Sequence, residues 1–191
     1  MHVSLQGSFK TMVNIFFNSE NSRLDFYLGR RVTTFDKTLL SIRLPIETAR
    51  STRSINERAN YKANEWRTLL FYLAVPLFKS LLPANYFKNF IKYIIFMRLL
   101  CQESISVEEI DDSQMLINSF CKEFQNLYGD TYMSYNLHAH LHLPNQVLNF
   151  GPLNKYSCFT FENMFKISAD KFHGNFTTKY FFFIFQHLLN N

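Results

Sequence analysis

Three runs of apolar residues with the period of an α-helix follow one another between Ala63 and Tyr128, separated by only a few residues each. From Ala63 to Lys79, Trp66, Leu69, Leu70, Leu73, Leu77 and Phe78 fill one wide face. Pro76 is expected to kink this helix, because proline has no N–H and its ring collides with the carbonyl four residues back. Pro83 suits the first turn of a second helix reaching about Glu103. It is expected to bury Phe87, Phe90, Ile91, Ile94, Ile95, Met97 and Leu99 and to turn Lys88, Lys92 and Arg98 to solvent. Ser106-Val107-Glu108-Glu109 is a capping box for a third helix, whose stripe of Ile110, Leu116, Ile117, Phe120, Phe124 and Leu127 runs to a stop at Gly129. Long helices on short connections pack antiparallel, so residues 63–128 read as a helical bundle.

The flanks are expected to be simpler. His2 to Asn18 places Leu5, Phe9, Met12, Val13, Phe16 and Phe17 at helical spacing. A helix that opens at Met1 without a cap leads to the expectation that the chain is a fragment of a longer protein. Phe26 to Val32, around Gly29, reads as a short extended piece, Thr34 to Ile42 as a short helix capped by Thr34, and Ile46 to Asn60 as a basic linker. Leu137, Ala139, Leu141 and Leu143 alternate strictly with His138, His140 and His142, which is a strand pattern among helical neighbours. A short extended element is therefore expected from Tyr135. Only five glycines and five prolines in 191 residues argue against an all-β chain, and 22 phenylalanines with ten tyrosines point either to a large helical core or to AT-rich coding DNA. The expected fold class is mainly α: one helical domain over residues 1–174 and a divergent tail over residues 175–191.

Charge is concentrated. Between Arg30 and Arg67 nine basic residues face four acidic ones, which matches the net charge of +5 for the whole chain. Arg30, Arg31, Arg43, Arg50, Arg53, Arg58 and Lys62 are the candidate polyanion surface, and a solvated basic loop is the competing reading. Cys101, Cys121 and Cys158 form no CxxC pair, so neither a disulfide framework nor zinc ligation is expected and a reducing compartment, nuclear or cytoplasmic, is preferred. The most apolar window, Leu69 to Phe78, falls short of the ~20 residues that span a bilayer, and no membrane partner is expected. His138, His140 and His142 would share one face of a strand as metal ligands, and partly exposed polar residues are the default reading. A Cys158–His nucleophile has no local sequence to support it. Glu162 stands among Phe159, Phe161 and Phe165, where an unpaired buried charge would cost several kcal/mol, so it either opens a helix from about Phe161 to Ser168, capped by Thr160, or belongs to an acidic metal site.

An ordered series of short matches bears on that choice. Met1-His2-Val3, Tyr27-Leu28-Gly29-Arg30, Leu39-Leu40-Ser41-Ile42, Arg53-Ser54-Ile55, Lys62-Ala63-Asn64-Glu65-Trp66-Arg67, Leu82-Pro83, Asn136 with His138, His142 and Leu143, Phe150-Gly151-Pro152-Leu153, and Phe159 with Phe161-Glu162 occur in this order. The series resembles the C-terminal part of CACTA (En/Spm-like) DNA transposases, together with the domain of unknown function that follows their core, and covers the chain to about Gly174. The resemblance implies a fragment of an RNase H-like core whose DDE-type acidic triad works with two Mg²⁺ ions, interrupted by a helical insertion. It makes Glu162 the last acid and metal ligand, His2 a second catalytic position, and residues 63–128 the insertion. The first two acids and their strands are not in this sequence, so the chain alone is expected to bind no Mg²⁺ and to be catalytically incompetent, with residual DNA affinity. From His173-Gly174 on, the sequence departs from the pattern and looks like read-through of AT-rich DNA. The competing expectation is a helical protein-interaction module that buries spare aromatic surface against a partner, through the helix around Phe90 to Leu100.

Overall fold

The computed structural model describes residues 3–44 and 52–156, and among them every regular element is a helix. A wide π-helical stretch, Val3–Phe9, runs into α1, Lys10–Phe17, and the two bury Leu5, Phe9, Met12, Val13 and Phe16 at the spacing seen in the sequence. After short 3₁₀ turns come α2, Val32–Ser41, and a 3₁₀ helix, Ile55–Asn60. Then follow α3, Ala63–Thr68, and α4, Ala74–Phe78, with a π-helical turn, Leu69–Leu73, between them. The long pair is α5, Ala84–Leu100, and α6, Val107–Tyr128, and the short helices α7, Tyr135–Ala139, and α8, Leu143–Phe150, close the compact unit, which runs to Tyr156. The expected boundary at residue 174 lies outside the described residues.

Local chemistry explains the boundaries. The capping box at α6 forms in full: Ser106 Oγ accepts from the Glu109 N–H at 3.2 Å and the Glu109 carboxylate accepts from the Ser106 N–H at 2.8 Å. Gly129 ends α6 at φ 88°, a conformation a side chain would resist. Pro83 directly precedes α5. Ahead of Pro76 the helix widens so that the Ala74 N–H reaches back five residues to the Leu69 carbonyl. α5 and α6 are pinned by Asn89, whose buried amide donates to the Phe120 carbonyl at 3.0 Å, and by an ion pair between Lys92 and Glu123.

Several expectations change. The buried face of α5 is Asn89, Phe90, Tyr93, Ile94, Phe96, Met97 and Leu100, while Ile95 is exposed. The core face thus includes Tyr93, whose hydroxyl finds a buried partner, and the helix around Phe90 to Leu100 is core rather than a docking face. Phe26 to Val32 is not extended: it holds a 3₁₀ turn, Gly29–Arg31, that leads into α2, so Thr34 lies inside that helix and does not cap it. The extended element expected from Tyr135 is also helical. Ser134 Oγ accepts from the Leu137 N–H at 3.3 Å and starts α7, which turns His138 and His142 to solvent and His140 into the core.

His140 is fully buried, and its hydrogen bonds close. Its Nδ1–H donates to the Asn136 carbonyl at 2.6 Å, which leaves Nε2 to accept from Ser4 Oγ at 3.0 Å. The Tyr93 hydroxyl, 3.0 Å from Nε2, donates to the Ser4 carbonyl at 3.1 Å. One histidine thereby ties the N-terminal stretch, α5 and the α7 region together. Burial pulls its pKa down to about 4, against about 6.5 when unfolded. The unfolded chain therefore takes up a proton that the folded one refuses: the contribution is intact above pH 6.5 and is lost as pH falls toward 4, by up to about 3 kcal/mol. Glu109 and Glu123 are held below the usual carboxylate range, by the Ser106 N–H and by the Lys92 ammonium respectively, so their contributions are lost only at the acid end of this window. Urea unfolding at pH 7 and pH 5 should show the loss, and His140→Gln should flatten it; equal losses in both proteins would assign the effect to other groups.

Candidate nucleic-acid interface

The basic segment divides into residues that hold the fold and residues that face outward. Arg53 is held by Glu65, to which Nε donates at 2.7 Å and Nη2 at 3.1 Å. It also donates to Glu57 at 3.3 Å and to the Asn60 carbonyl at 3.0 Å, with its guanidinium 5.3 Å from the Tyr61 ring centroid. The hydrogen bond to Glu65 raises its pKa further above an arginine's ordinary value. Opposite it, Asp36 accepts from Ser54 Oγ at 2.5 Å and from the Ile55 N–H at 2.8 Å, fastening this turn to α2. Arg58 reaches inward: it donates to Asn14 Oδ1 at 3.0 Å and to the Phe17 carbonyl at 3.3 Å, and its guanidinium lies 5.5 Å from the Phe17 ring centroid. A cation at the end of α1 satisfies one of the carbonyls that every helix C-terminus leaves unpaired. Burial lowers the pKa of Arg58 from its ordinary value.

Arg30 and Arg31 behave differently. Together with Arg23 they line a cleft of about 390 Å³ between the turn at Arg23–Leu28 and the Ser80–Pro83 connection ahead of α5. All three are exposed. Arg30 donates through Nη2 to the Ser22 carbonyl at 2.7 Å, and Arg31 through Nη1 to the Leu81 carbonyl at 3.1 Å. Each guanidinium carries five N–H donors, so a single anchoring bond fixes the fork and leaves donors for a ligand. Among the described residues Asp25 is the one acid lining the cleft. A Cβ at Gly29 would lie 2.0 Å from the hydroxyl oxygen of Tyr27, so a side chain there would displace the Tyr27 ring, which lines the cleft.

Arg43 and Lys62 are exposed and are not among the residues lining this cleft. Arg50, His2, Glu162 and Cys158 lie outside the described residues. Arg23 escaped the sequence reading because it sits in the polar turn before the basic run; its spacing of seven residues from Arg30 was the available signal. The histidine trio does not gather, since His138 and His142 face each other on the surface with ring centroids 5.3 Å apart while His140 points inward. Among the described residues no three His, Cys, Asp or Glu side chains are placed to share a metal ion. Burial pushes the thiols of Cys101 and Cys121 up to about 11, which keeps them protonated and poor nucleophiles at neutral pH. No helix among the described residues is long and apolar enough to cross a membrane.

Fold and cleft together define, among the described residues, a helical unit with an arginine-lined depression on its surface. No protein-family model matches the chain, and neither a curated protein nor a solved structure matches it.

The two kinds of arginine should separate in thermal unfolding. Arg58→Ala removes the bonds to Asn14 and the Phe17 carbonyl and should lower Tm by several degrees, whereas Arg30→Ala, anchored by one bond at the surface, should leave it nearly unchanged. Equal shifts measured by circular dichroism would contradict this division.

Proposed function

We propose that this chain is a helical nucleic-acid-binding module of transposase descent, without strand cleavage of its own, which holds backbone phosphates in the cleft of Arg23, Arg30 and Arg31. The observation that carries the reading is the convergence of three exposed guanidinium groups on one cleft, two of them oriented by backbone carbonyls. Guanidinium forks match phosphate oxygens in geometry and charge, and phosphate neutralisation releases condensed counterions. The ordered resemblance to the CACTA transposases supports a nucleic acid as the polyanion. On that reading residues 63–128 descend from the helical insertion of an RNase H-like core, and Glu162 from its last acid.

In the complete family core Mg²⁺ would activate the attacking oxygen and stabilise the leaving one. A hard cation needs several oxygen ligands together, and the candidate acid, Glu162, lies outside the described residues. The chain's own part is to bind and orient a strand. A second reading, a protein-interaction module, is favoured by the exposure of Tyr135 at 82% and Phe150 at 72%. Its docking face would lie at those rings, because the helix around Phe90 to Leu100 is core.

Fluorescence anisotropy with a labelled duplex of about 12 base pairs, titrated over about 50–200 mM salt, tests the leading reading. Affinity should fall with salt, and Arg30→Gln combined with Arg31→Gln should reduce the slope of log K against log salt by roughly 2. No binding at the low-salt end would overturn the proposal in favour of the interaction module.

A further inference from the structure

A second cleft of about 420 Å³ lies at the far end of α5, lined by Arg67, Tyr72, Arg98, Gln102 and Asn154 among others. The π-helical turn Leu69–Leu73, in which the Ala74 N–H bonds to the Leu69 carbonyl five residues back, lies beside it. Arg98 donates to the Phe71 carbonyl of that turn, which fixes its guanidinium at the cleft. Arg67 lies over the Phe71 ring, 5.6 Å from its centroid, and brings a second cation. Tyr72 is the outward residue of the turn, 62% exposed where Leu69, Leu70, Phe71 and Leu73 are buried. The Asn154 amide nitrogen is bonded to the Cys101 carbonyl and that of Gln102 donates to Glu109 at 3.3 Å, so each amide oxygen remains able to accept. The Cys101 thiol is held neutral by burial and adds no negative charge.

An exposed aromatic face, two cations and two amide oxygens in one small cleft are what an unpaired nucleotide requires: a platform for the base, acceptors for its ring or exocyclic N–H groups, and donors for its phosphate. We infer that this cleft binds an unpaired base of single-stranded nucleic acid, with Tyr72 as the stacking platform and Arg67 and Arg98 on the flanking phosphates. The inference rests on the nucleic-acid reading of the first cleft and refines it, from a polyanion surface to a protein that prefers single strands. The two clefts stand at opposite ends of α5, whose 17 residues span roughly 25 Å, or about seven nucleotides at the axial rise of one strand. A base within a duplex has its faces covered by its neighbours and cannot reach the Tyr72 ring, so duplex can engage only the phosphate contacts.

The test measures anisotropy at low salt with a fluorescein-labelled oligothymidylate of about 12 residues and a duplex of equal length, a size that spans both ends of α5. Native protein should bind the single strand more tightly than the duplex. Tyr72→Ala should weaken single-strand binding by about fivefold or more and leave duplex binding unchanged, while Tyr72→Phe should restore it, because a phenyl ring stacks as well as a phenol. Arg30→Gln combined with Arg31→Gln should weaken both ligands. Single-strand affinity unaltered in Tyr72→Ala, alongside weakened binding of both ligands in the double arginine variant, would overturn the base site and leave the phosphate cleft standing. Absence of binding to either ligand would overturn both.

Discussion

The ring of Phe90 touches those of Phe78, Phe16 and Phe9, at centroid separations of 4.9, 5.5 and 6.1 Å, and these four residues come from α5, α4, α1 and the π-helical stretch before α1. Phe16 continues the chain of contacts to Phe26 and Tyr128, so that the end of α6 is joined to the same cluster. Offset and edge-to-face ring pairs each add about 0.5–1.5 kcal/mol beyond the area they bury. Among the described residues, much of the aromatic load is an organised core. Because the cluster takes rings from segments distant in sequence, it fixes the placement of α1, and with it of the turn that carries Arg23 and Arg30. The cleft in front of α5 is a by-product of how Phe26 and Tyr86, 5.2 Å apart by centroid, seat that turn against the start of α5.

The turn before Pro76 links two helices through one set of residues. Ahead of the proline, at which the sequence predicts a kink, the helix widens at Leu69–Leu73 so that hydrogen bonding reaches back five residues, from the Ala74 N–H to the Leu69 carbonyl. The widened turn keeps Leu69, Leu70, Phe71 and Leu73 in the core with Tyr72 outward, and its Phe71 carbonyl accepts from Arg98 of α5. The last turn of α5 thereby meets the widened turn on a surface that is cationic and aromatic together.

Much of the helical architecture was legible in the sequence because its signals are local. Ser106 and Glu109 announce the start of α6, Gly129 its end and Pro83 the start of α5, and each works through the backbone within a few residues. The segment from Tyr135 misled for the converse reason. Its alternation has a period of two over too few residues to decide between strand and helix, and Ser134, which starts the helix, lies outside the alternating run. His140 is buried because Ser4 and Tyr93, 136 and 47 residues away along the chain, complete its hydrogen bonds. No local pattern could announce that pairing.

The arginines carry the same lesson into the candidate site. A count of charges treats Arg30, Arg31, Arg53 and Arg58 as equals, yet the partners of Arg53 and Arg58 are decided by tertiary packing: a buried carboxylate on Glu65, whose side chain is 8% exposed, and the C-terminal carbonyl of α1. Arg53 gives the Glu65 carboxylate two hydrogen bonds, and weakening the pairing of a buried charge is more costly than losing a surface pair. Arg53 is therefore committed to the fold in a way that Arg30 and Arg31, each anchored to one carbonyl at the surface, are not. The net charge of a segment is thus an upper bound on what it can offer a polyanion, and what remains is the part that the core and the helix ends do not need. In this chain two members of that remainder, Arg30 and Arg31, lie beside Arg23, a residue the charge run did not include, because the aromatic cluster, and not the order of the sequence, decides which cations become neighbours.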